Sequence, residues 1–393
     1  MRIAMIGPFG LRPKGTMSVR ALSMARALVK RGHAVKIVLP PWDHPEDSGH
    51  AFEDHGVQIE NITLPRIFAP LFQLVVMLRL IKHALVFKPD VIHCFKPKAY
   101  AGLSAWWLWQ LKRLRFSKVR LIIDSDDWEG AGGWNDRGQY SWLQKKFFAW
   151  QERWGLKHND GLTLASRALQ TIVWSMGLKP DKVMYVPNGI ANADFGTREA
   201  EATSPRSVVY ILLYTRFFEY SVDRVLEVFR RVVDKVPQAH LLVVGKGFHE
   251  EEQQLLEQAR QIGLHNQIDY IGWVDPDALP GFFAQARVAI YPFDDTLINR
   301  TKCAVKLIDL LAAGVPVVAD AVGQNMEYIR HNQTGWLVTC GNVEAMAEAV
   351  VSAISDPNRA KSIGTAAMQD MYLRFDWDRL VESVETIYQG KLL

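Results

Sequence analysis

The chain has 393 residues, a formal net charge of +4, and 49% hydrophobic against 22% charged residues. That composition excludes intrinsic disorder, and the length exceeds what one hydrophobic core usually organises, so two domains are expected. Cys94, Cys303 and Cys340 are too few and too scattered for a disulfide framework or a metal-ligand cluster, which points to a reducing compartment.

The small net charge conceals an asymmetry. Residues 1–190 hold 27 Lys and Arg against 15 Asp and Glu, a balance of +12, whereas residues 191–393 hold 19 against 27, a balance of −8. A basic front half steers the molecule toward an anionic partner from one side. It contains no recognition helix or zinc module, so nucleic acid is not expected as a partner.

In chain order, residues 3–6 read as a short buried strand rather than a signal peptide. The sequons at Asn61 and Asn332 are therefore not expected to be used, and a cytoplasmic location is expected. Residues 18–31 place Val19, Leu22, Ala25, Leu28 and Val29 on one helical face; Gly32 stops that helix, and 34–39 is the next strand. Strands follow at 91–93, 119–123 and 183–186, the last preceded by a helix at 166–176. Such alternation predicts a mostly parallel sheet covered on both faces. Residues 191–204 read as a polar linker, after which the pattern restarts. Strands are expected at 208–213, 240–244, 268–271, 288–291 and 315–319, and helices at 222–233, 250–262, 279–286, 304–313, 343–354 and 359–372. A last amphipathic helix covers 377–388. The predicted domains are 1–190 and 205–370, with 371–393 returning toward the first.

Two apolar runs, 67–78 and 99–111, fall short of the roughly 20 residues that span a bilayer. The second contains Trp106, Trp107 and Trp109 and leads into Lys112, Arg113, Arg115, Lys118 and Arg120. Aromatic surface beside clustered cations suits an anionic membrane surface, and a sheet-covering role suits both runs equally.

Polar groups collect at predicted strand ends, where open α/β sheets bind ligands. Gly10, Lys14 and Gly15 form the turn before the first helix, where backbone amides approach phosphate oxygens. Arg216 follows the first strand of the second half and offers a fixed donor fork for diphosphate, with a surface pairing to Glu219 as the alternative. Gly245-Lys246-Gly247 follows the next strand. Lys302 and Lys306 stand four apart and are expected to share a helical face, with Asp309 three residues on. A glycine-bearing turn, Gly323 to Glu327, supplies Asn325 and Glu327. In the first half, His93, Lys96 and Lys98 follow one strand and Asp124, Asp126, Asp127 and Glu129 the next. Those acids orient sugar or acceptor hydroxyls or, as an alternative, coordinate Mg²⁺; two successive Asp side chains do not define a metal cage, so no metal is expected. Trp128 and Trp134 are candidates to stack on a sugar.

Across these residues the chain resembles the retaining glycosyltransferases of family 4. The match runs from the Lys14-Gly15 turn through Asp90-Val91-Ile92-His93 and Val186-Pro187-Asn188-Gly189 to the 377–388 region. It is best at 309–318, Gly323 to Glu327 and Gly335. The resemblance implies a GT-B fold, two Rossmann-like doubly wound α/β domains facing a central cleft. It also implies same-face transfer of a sugar from a nucleotide diphosphate sugar, with no enzyme-linked intermediate. Gly15 and Arg216 would meet the donor diphosphate and Asp309 the ribose. The catalytic candidates are then Arg216, Lys306, His93 and Asp126, and the donor-binding candidates are Gly15, Arg216, Lys302, Lys306, Asp309, Asn325 and Glu327. The sequence departs from the family pattern at Thr301, Ser221 and Phe95, where the family carries an acid, a lysine and a histidine. The expected partners are the nucleotide-sugar donor, a glycan or lipid-linked acceptor and an anionic membrane surface, with no cofactor required. An epimerase, a phosphorylase and a non-catalytic nucleotide-sugar-binding protein stay open as alternatives.

Overall fold

The structure, a computed structural model, describes residues 1–12, 15–68, 71–190 and 208–390. Lys14, Pro70 and the linker expected at 191–204 lie outside the described residues. The chain divides into two compact units: Met1–Ala191 with Thr301–Cys303 and Asp376–Leu393, and Asn192–Arg300 with Ala304–Phe375.

The strands of the first unit are β1 (Arg2–Ile6), β2 (Ala34–Leu39), β3 (Ala51–Asp54), β4 (Val57–Asn61), β5 (Val91–Phe95), β6 (Arg120–Ser125), β7 (Gly161–Leu164) and β8 (Val183–Tyr185). They form one 8-stranded sheet in the order β3-β4-β2-β1-β5-β6-β7-β8. All pairings are parallel except the β3–β4 edge hairpin. Its helices are α1 (Leu22–Lys30), α2 (Leu71–Val86), α3 (Ala99–Arg113), α4 (Trp134–Arg137), α5 (Trp142–Lys157) and α6 (Arg167–Ser175). A π-helical turn, Met17–Ala21, precedes α1. β1 is central because Ile3, Ala4, Met5 and Ile6 are apolar on both faces, as a strand covered by helices on each side requires.

The second unit has β9 (Val209–Tyr214), β10 (Ala239–Val244), β11 (Ile268–Gly272), β12 (Ala286–Tyr291), β13 (Val317–Asp320) and β14 (Trp336–Val338). They are ordered β11-β10-β9-β12-β13-β14, the doubly wound dinucleotide-binding order, with its direction reversing between β9 and β12. Its helices are α7 (Val222–Lys235), α8 (Glu251–Gln261), α9 (Leu279–Gln285), α10 (Leu297–Thr301), α11 (Val305–Ala312), α12 (Asn325–Tyr328), α13 (Val343–Ser355) and α14 (Pro357–Arg374).

The last helix, α15 (Trp377–Gln389), belongs to the first unit and packs beside α1. Val381, Val384, Ile387 and Tyr388 sink into the cluster that also holds Met24, Leu28 and Ile3 and Met5 of β1, the aliphatic ones each stabilising by about 1.5–3 kcal/mol. α2, α3 and α6 cover the opposite face with a separate cluster. Asp376 caps α15, and its backbone pairs with Ile190 in an isolated parallel bridge. The returning segment therefore begins at Asp376 rather than at 371, because α14 continues to Arg374.

Candidate functional site

In the first unit the order of strand addition reverses at β1, so the loops after β1, β5 and β6 are neighbours. Gly15 opens the first helical turn, its carbonyl accepting from the Ser18 and Val19 amides. The Gly15 amide itself donates to Ser18 Oγ at 2.9 Å. Thr16, next in sequence, donates its hydroxyl to Asp126 Oδ2 at 2.5 Å. Two predicted site residues, Gly15 and Asp126, are thus joined through a threonine that the sequence did not single out.

Asp126 lies among charges. Lys96 Nζ stands 3.6 Å from Asp126, 3.0 Å from Asp127 and 3.3 Å from Glu129, while Lys98 Nζ is 2.7 Å from Glu129. Burial pushes the Asp126 carboxyl up to about 6, against the pull of Lys96. Burial also acts against Asp127, but Lys96 holds that carboxyl below its ordinary range. Beneath this loop, Glu152 Oε1 of α5 accepts the Glu129 amide at 2.9 Å, and burial raises the Glu152 carboxyl to about 8. Trp128 is buried and donates to the Ala131 carbonyl, so it packs within the loop. Trp134 begins α4 and is partly buried.

His93 belongs to a different system. It is fully buried in β5, with Nδ1 2.7 Å from the Tyr388 hydroxyl and Nε2 3.0 Å from Thr163 Oγ1. Thr163 donates to Asp124 at 2.6 Å, so its oxygen accepts from His93 Nε2–H, and Nδ1 accepts from Tyr388. Arg20 closes the chain with two bonds to Asp124 at 2.8 and 2.7 Å and one to Asn188 at 2.9 Å. Burial lowers His93 to about 4, keeping it neutral. With both nitrogens engaged inside the core, His93 ties α15 to the sheet. That placement corrects its nomination as a catalytic group.

In the second unit the reversal between β9 and β12 sets the frame. Arg216 follows β9 and is exposed, its guanidinium 6.0 Å from the Phe248 ring. The loop is fixed from below by Gly245. A Cβ there would meet the Thr215 carbonyl oxygen at 1.9 Å, and its φ of +133° suits glycine alone. Gly245 thus lets the β10 loop press against the one that carries Arg216. Tyr214, the last residue of β9, joins the other candidates. Lys306 Nζ sits 3.4 Å from the centre of its ring, and the buried Asp309 carboxylate lies close enough to act on its hydroxyl. Burial, then Asp309, raises the Tyr214 hydroxyl well above its usual range. Tyr214, Thr215 and Tyr220 line a small hollow with Tyr291 and Phe293 from the β12 end. Sequence reasoning passed over Tyr214 because an aromatic at a strand end reads as core.

The remaining candidates divide. Lys302 and Lys306 do not share a helical face: α10 ends at Thr301, α11 starts at Val305, and Lys302 lies buried in the turn between them. Ala304, at ψ 57°, breaks the helical path. Asn325 is fully buried and donates to the Asp320 carbonyl at 3.0 Å, so it ties the β13 loop from within. Gly323 permits that loop, since a Cβ there would meet the Asn299 carbonyl at 2.4 Å. Glu327 is partly exposed in the first turn of α12. Asp320 anchors the same edge through Arg224 at 2.8 Å and the Phe293 amide at 2.7 Å. Neither Asp320 nor Arg224 was a sequence candidate.

Residues 15–189 match the family described as glycosyl transferase 4-like domain, and residues 198–370 match glycosyl transferases group 1. An uncharacterized glycosyltransferase of Methanocaldococcus jannaschii is 24% identical over 99% of this chain and 98% of its own length. The phosphatidyl-myo-inositol mannosyltransferase of Mycobacterium leprae is also 24% identical, over 99% of this chain and 96% of that protein. Among solved structures, sucrose-phosphate synthase of Thermosynechococcus elongatus superposes with a TM-score of 0.74 at 17% identity, covering 100% of this chain and 99% of that one. HepE of Anabaena, in complex with UDP and glucose, gives 0.69 at 17% identity, covering 98% and 99%. The fold is GT-B, two Rossmann-like α/β domains.

Proposed function

We propose, for a chain that carries a glycosyl transferase 4-like domain followed by a glycosyl transferases group 1 domain, transfer of a glycosyl group from a nucleotide diphosphate sugar to a hydroxyl acceptor with retained anomeric configuration. The observation that carries the donor side is Arg216, exposed at the strand-order reversal beside Tyr214 and Lys306. Ligands of doubly wound sheets bind at that reversal, and a cationic pair there suits a diphosphate. HepE, with a similar fold, is seen with UDP and glucose, which supports a nucleotide-sugar donor here.

In the reaction, the bond from the anomeric carbon to the diphosphate oxygen breaks and the acceptor oxygen bonds that carbon from the same face. The acceptor proton passes to the departing diphosphate, so no enzyme-linked sugar forms. Arg216 and Lys306 meet the charge gathering on the leaving group, where fixed cations lower the barrier most. The first unit takes the acceptor, with the Asp126 carboxyl, poised near neutrality, among its hydroxyl-binding groups.

The acceptor class proposed is a lipid or lipid-linked glycan, reached from the cytoplasmic side by a peripherally attached enzyme. The name of the Mycobacterium leprae relative and the +12 balance of residues 1–190 support this reading. The test is a donor-by-acceptor screen read by mass spectrometry, with and without anionic vesicles. A retained-configuration product, formed more than tenfold more slowly by folded Arg216→Ala, is expected. Nucleotide-sugar binding with no product across the panel would sink the transferase reading in favour of a binding protein.

A further inference from the structure

The membrane-facing surfaces suggested by sequence are the apolar run 67–78 and the tryptophan run of α3. In the structure that run is divided: Trp107 is exposed, whereas Trp106 and Trp109 are partly buried. The stronger surface lies on the neighbouring helix. α5 buries Gln151, Glu152, Gly155 and Leu156. Its outer side leaves Trp142 69%, Leu143 70%, Phe147 39% and Trp150 43% exposed. At 100° per residue, the positions from Trp142 through Arg153, Lys146, Lys157, Trp150, Leu143 and Trp154 to Phe147 fall on one contiguous arc of roughly 140°. A strip of three exposed cations, Lys146, Arg153 and Lys157, is therefore flanked on both sides by large apolar side chains. The rings form a row along the helix. Phe147 stacks on Trp150 at 5.8 Å, and Trp154 on His158 at 4.4 Å.

Charge selects the occupant. The only acid in α5 is Glu152, which is buried, and neither α2 nor α3 contains any. α3 packs against both α2 and α5, so the three helices form one continuous side of the first unit. α2 adds exposed Leu71, Leu74 and Leu78 with Arg79 and Lys82, and α3 adds exposed Arg113, its neighbour Lys112 being paired with Asp160. No carboxylate is exposed on any of the three. Tryptophan and leucine for the acyl boundary, beside lysine and arginine for headgroup phosphates, meet the requirements for an interfacial helix.

We infer that α5 is the anchor by which this protein docks on an anionic bilayer, with α2 and α3 as a supporting flank. The inference rests on the proposed lipid acceptor and gives it a route of delivery. On its buried side Gln151 binds both the amide and the carbonyl of Ala99, at 2.9 and 3.0 Å, and Glu152 binds the Glu129 amide. The helix that meets the headgroups thus also holds the loops after β5 and β6, which carry Lys96, Lys98 and Asp126.

The test is sedimentation of the full chain with phosphatidylcholine vesicles containing or lacking phosphatidylglycerol. The wild type is expected to partition onto the anionic vesicles, with at least a tenfold preference over neutral ones. Leu143→Ser/Trp150→Ser should lower that partition at least tenfold, and Lys146→Glu/Arg153→Glu should remove the preference for phosphatidylglycerol. Leu74→Ser/Leu78→Ser on α2 should cost less than either. All six side chains face outward, so thermal midpoints should stay within a few degrees; single Trp150→Ser stands in if a double variant melts early. Wild-type partition by the α5 variants, or a loss confined to the α2 variant, would overturn the inference. So would a dimer broken by Leu143→Ser/Trp150→Ser that ignores vesicles, since the face would then belong to a second copy. UDP binding and transfer to a soluble acceptor, measured on the same samples, report on the transferase reading separately.

Discussion

The carboxyl ends of the two sheets differ in the charge they leave exposed: Arg224 is paired with Asp320 and Asp294 in the second, yet Arg216 stays open to solvent there. In the first unit nearly every ionised group is answered locally: Arg20 by Asp124, Lys96 by Asp126, Asp127 and Glu129, and Lys98 by Glu129. In the second, Arg216 is exposed with its guanidinium 6.0 Å from the Phe248 ring, and Lys306 stands over the face of Tyr214. The difference teaches that abundance of charge does not locate a phosphate site. The +12 half holds its charges in internal pairs and on its helical surface, and the −8 half leaves Arg216 exposed at the end of β9.

The sharpest way to break this contrast is Arg20→Ala. It strands Asp124 in the core and should cost about 3–5 kcal/mol in urea unfolding. A loss of activity without a loss of stability would mean that Arg20 acts on substrate and that the comparison is misdrawn. Next comes pH. His93 is held neutral down to about 4, while its unfolded counterpart takes up a proton near 6.5. At this group the unfolded state therefore binds more protons across that window, so the His93 contribution to stability falls as pH drops from about 6.5 to 4, by roughly 3 kcal/mol, while the raised Asp126 carboxyl contributes in the opposite sense. The stability difference between wild type and His93→Gln isolates the histidine and should change by about that amount across the range; a difference that does not vary with pH would detach the effect from His93. The second unit should respond in the opposite sense. Arg216→Ala, at an exposed position, should leave the melting temperature within a degree or two yet reduce kcat more than tenfold, a contribution above about 1.4 kcal/mol. Unaltered turnover would remove Arg216 from the mechanism. The smallest effect is expected for Lys306→Met. It keeps the packing stem against Tyr214 and should raise the donor KM about three- to tenfold, read by initial rates against donor concentration.

Much of the fold was legible because parallel strands buried on both faces read as unbroken apolar runs, as in residues 3–6 or 240–244. The β3–β4 hairpin was not, since its polar edge strands lack that signature, and neither was β7, only four residues long. In the second unit, loop position alone marked Arg216, because strand ends in this topology converge. The lysine pair misled because helical spacing was assumed across Cys303 and Ala304, where α10 has already ended and the Ala304 backbone angle starts α11 afresh. His93 misled for a non-local reason. Its partner Tyr388 is 295 residues away, and no local pattern shows that the two side chains meet. The outer side of α5 was illegible in a further sense, since an aromatic-rich helix reads as core until the structure shows which side faces water.

The pairing of Ile190 with Asp376 means that the chain leaves the first unit and re-enters it at adjacent points. Evolutionarily, the second unit is then a cassette. Apart from Thr301–Cys303, which belong to the first unit, the segment from 192 to 375 leaves and returns through one paired junction and can be exchanged for a related segment that keeps those three residues. Biosynthetically, the same junction imposes an order. The cassette can fold while the first unit is still incomplete, because the groove beside α1 stays bare until Val381, Val384 and Ile387 are made. A chain truncated before Asp376 would carry that groove permanently, so a premature stop late in the message should lower the solubility of residues 1–190 more than that of the cassette.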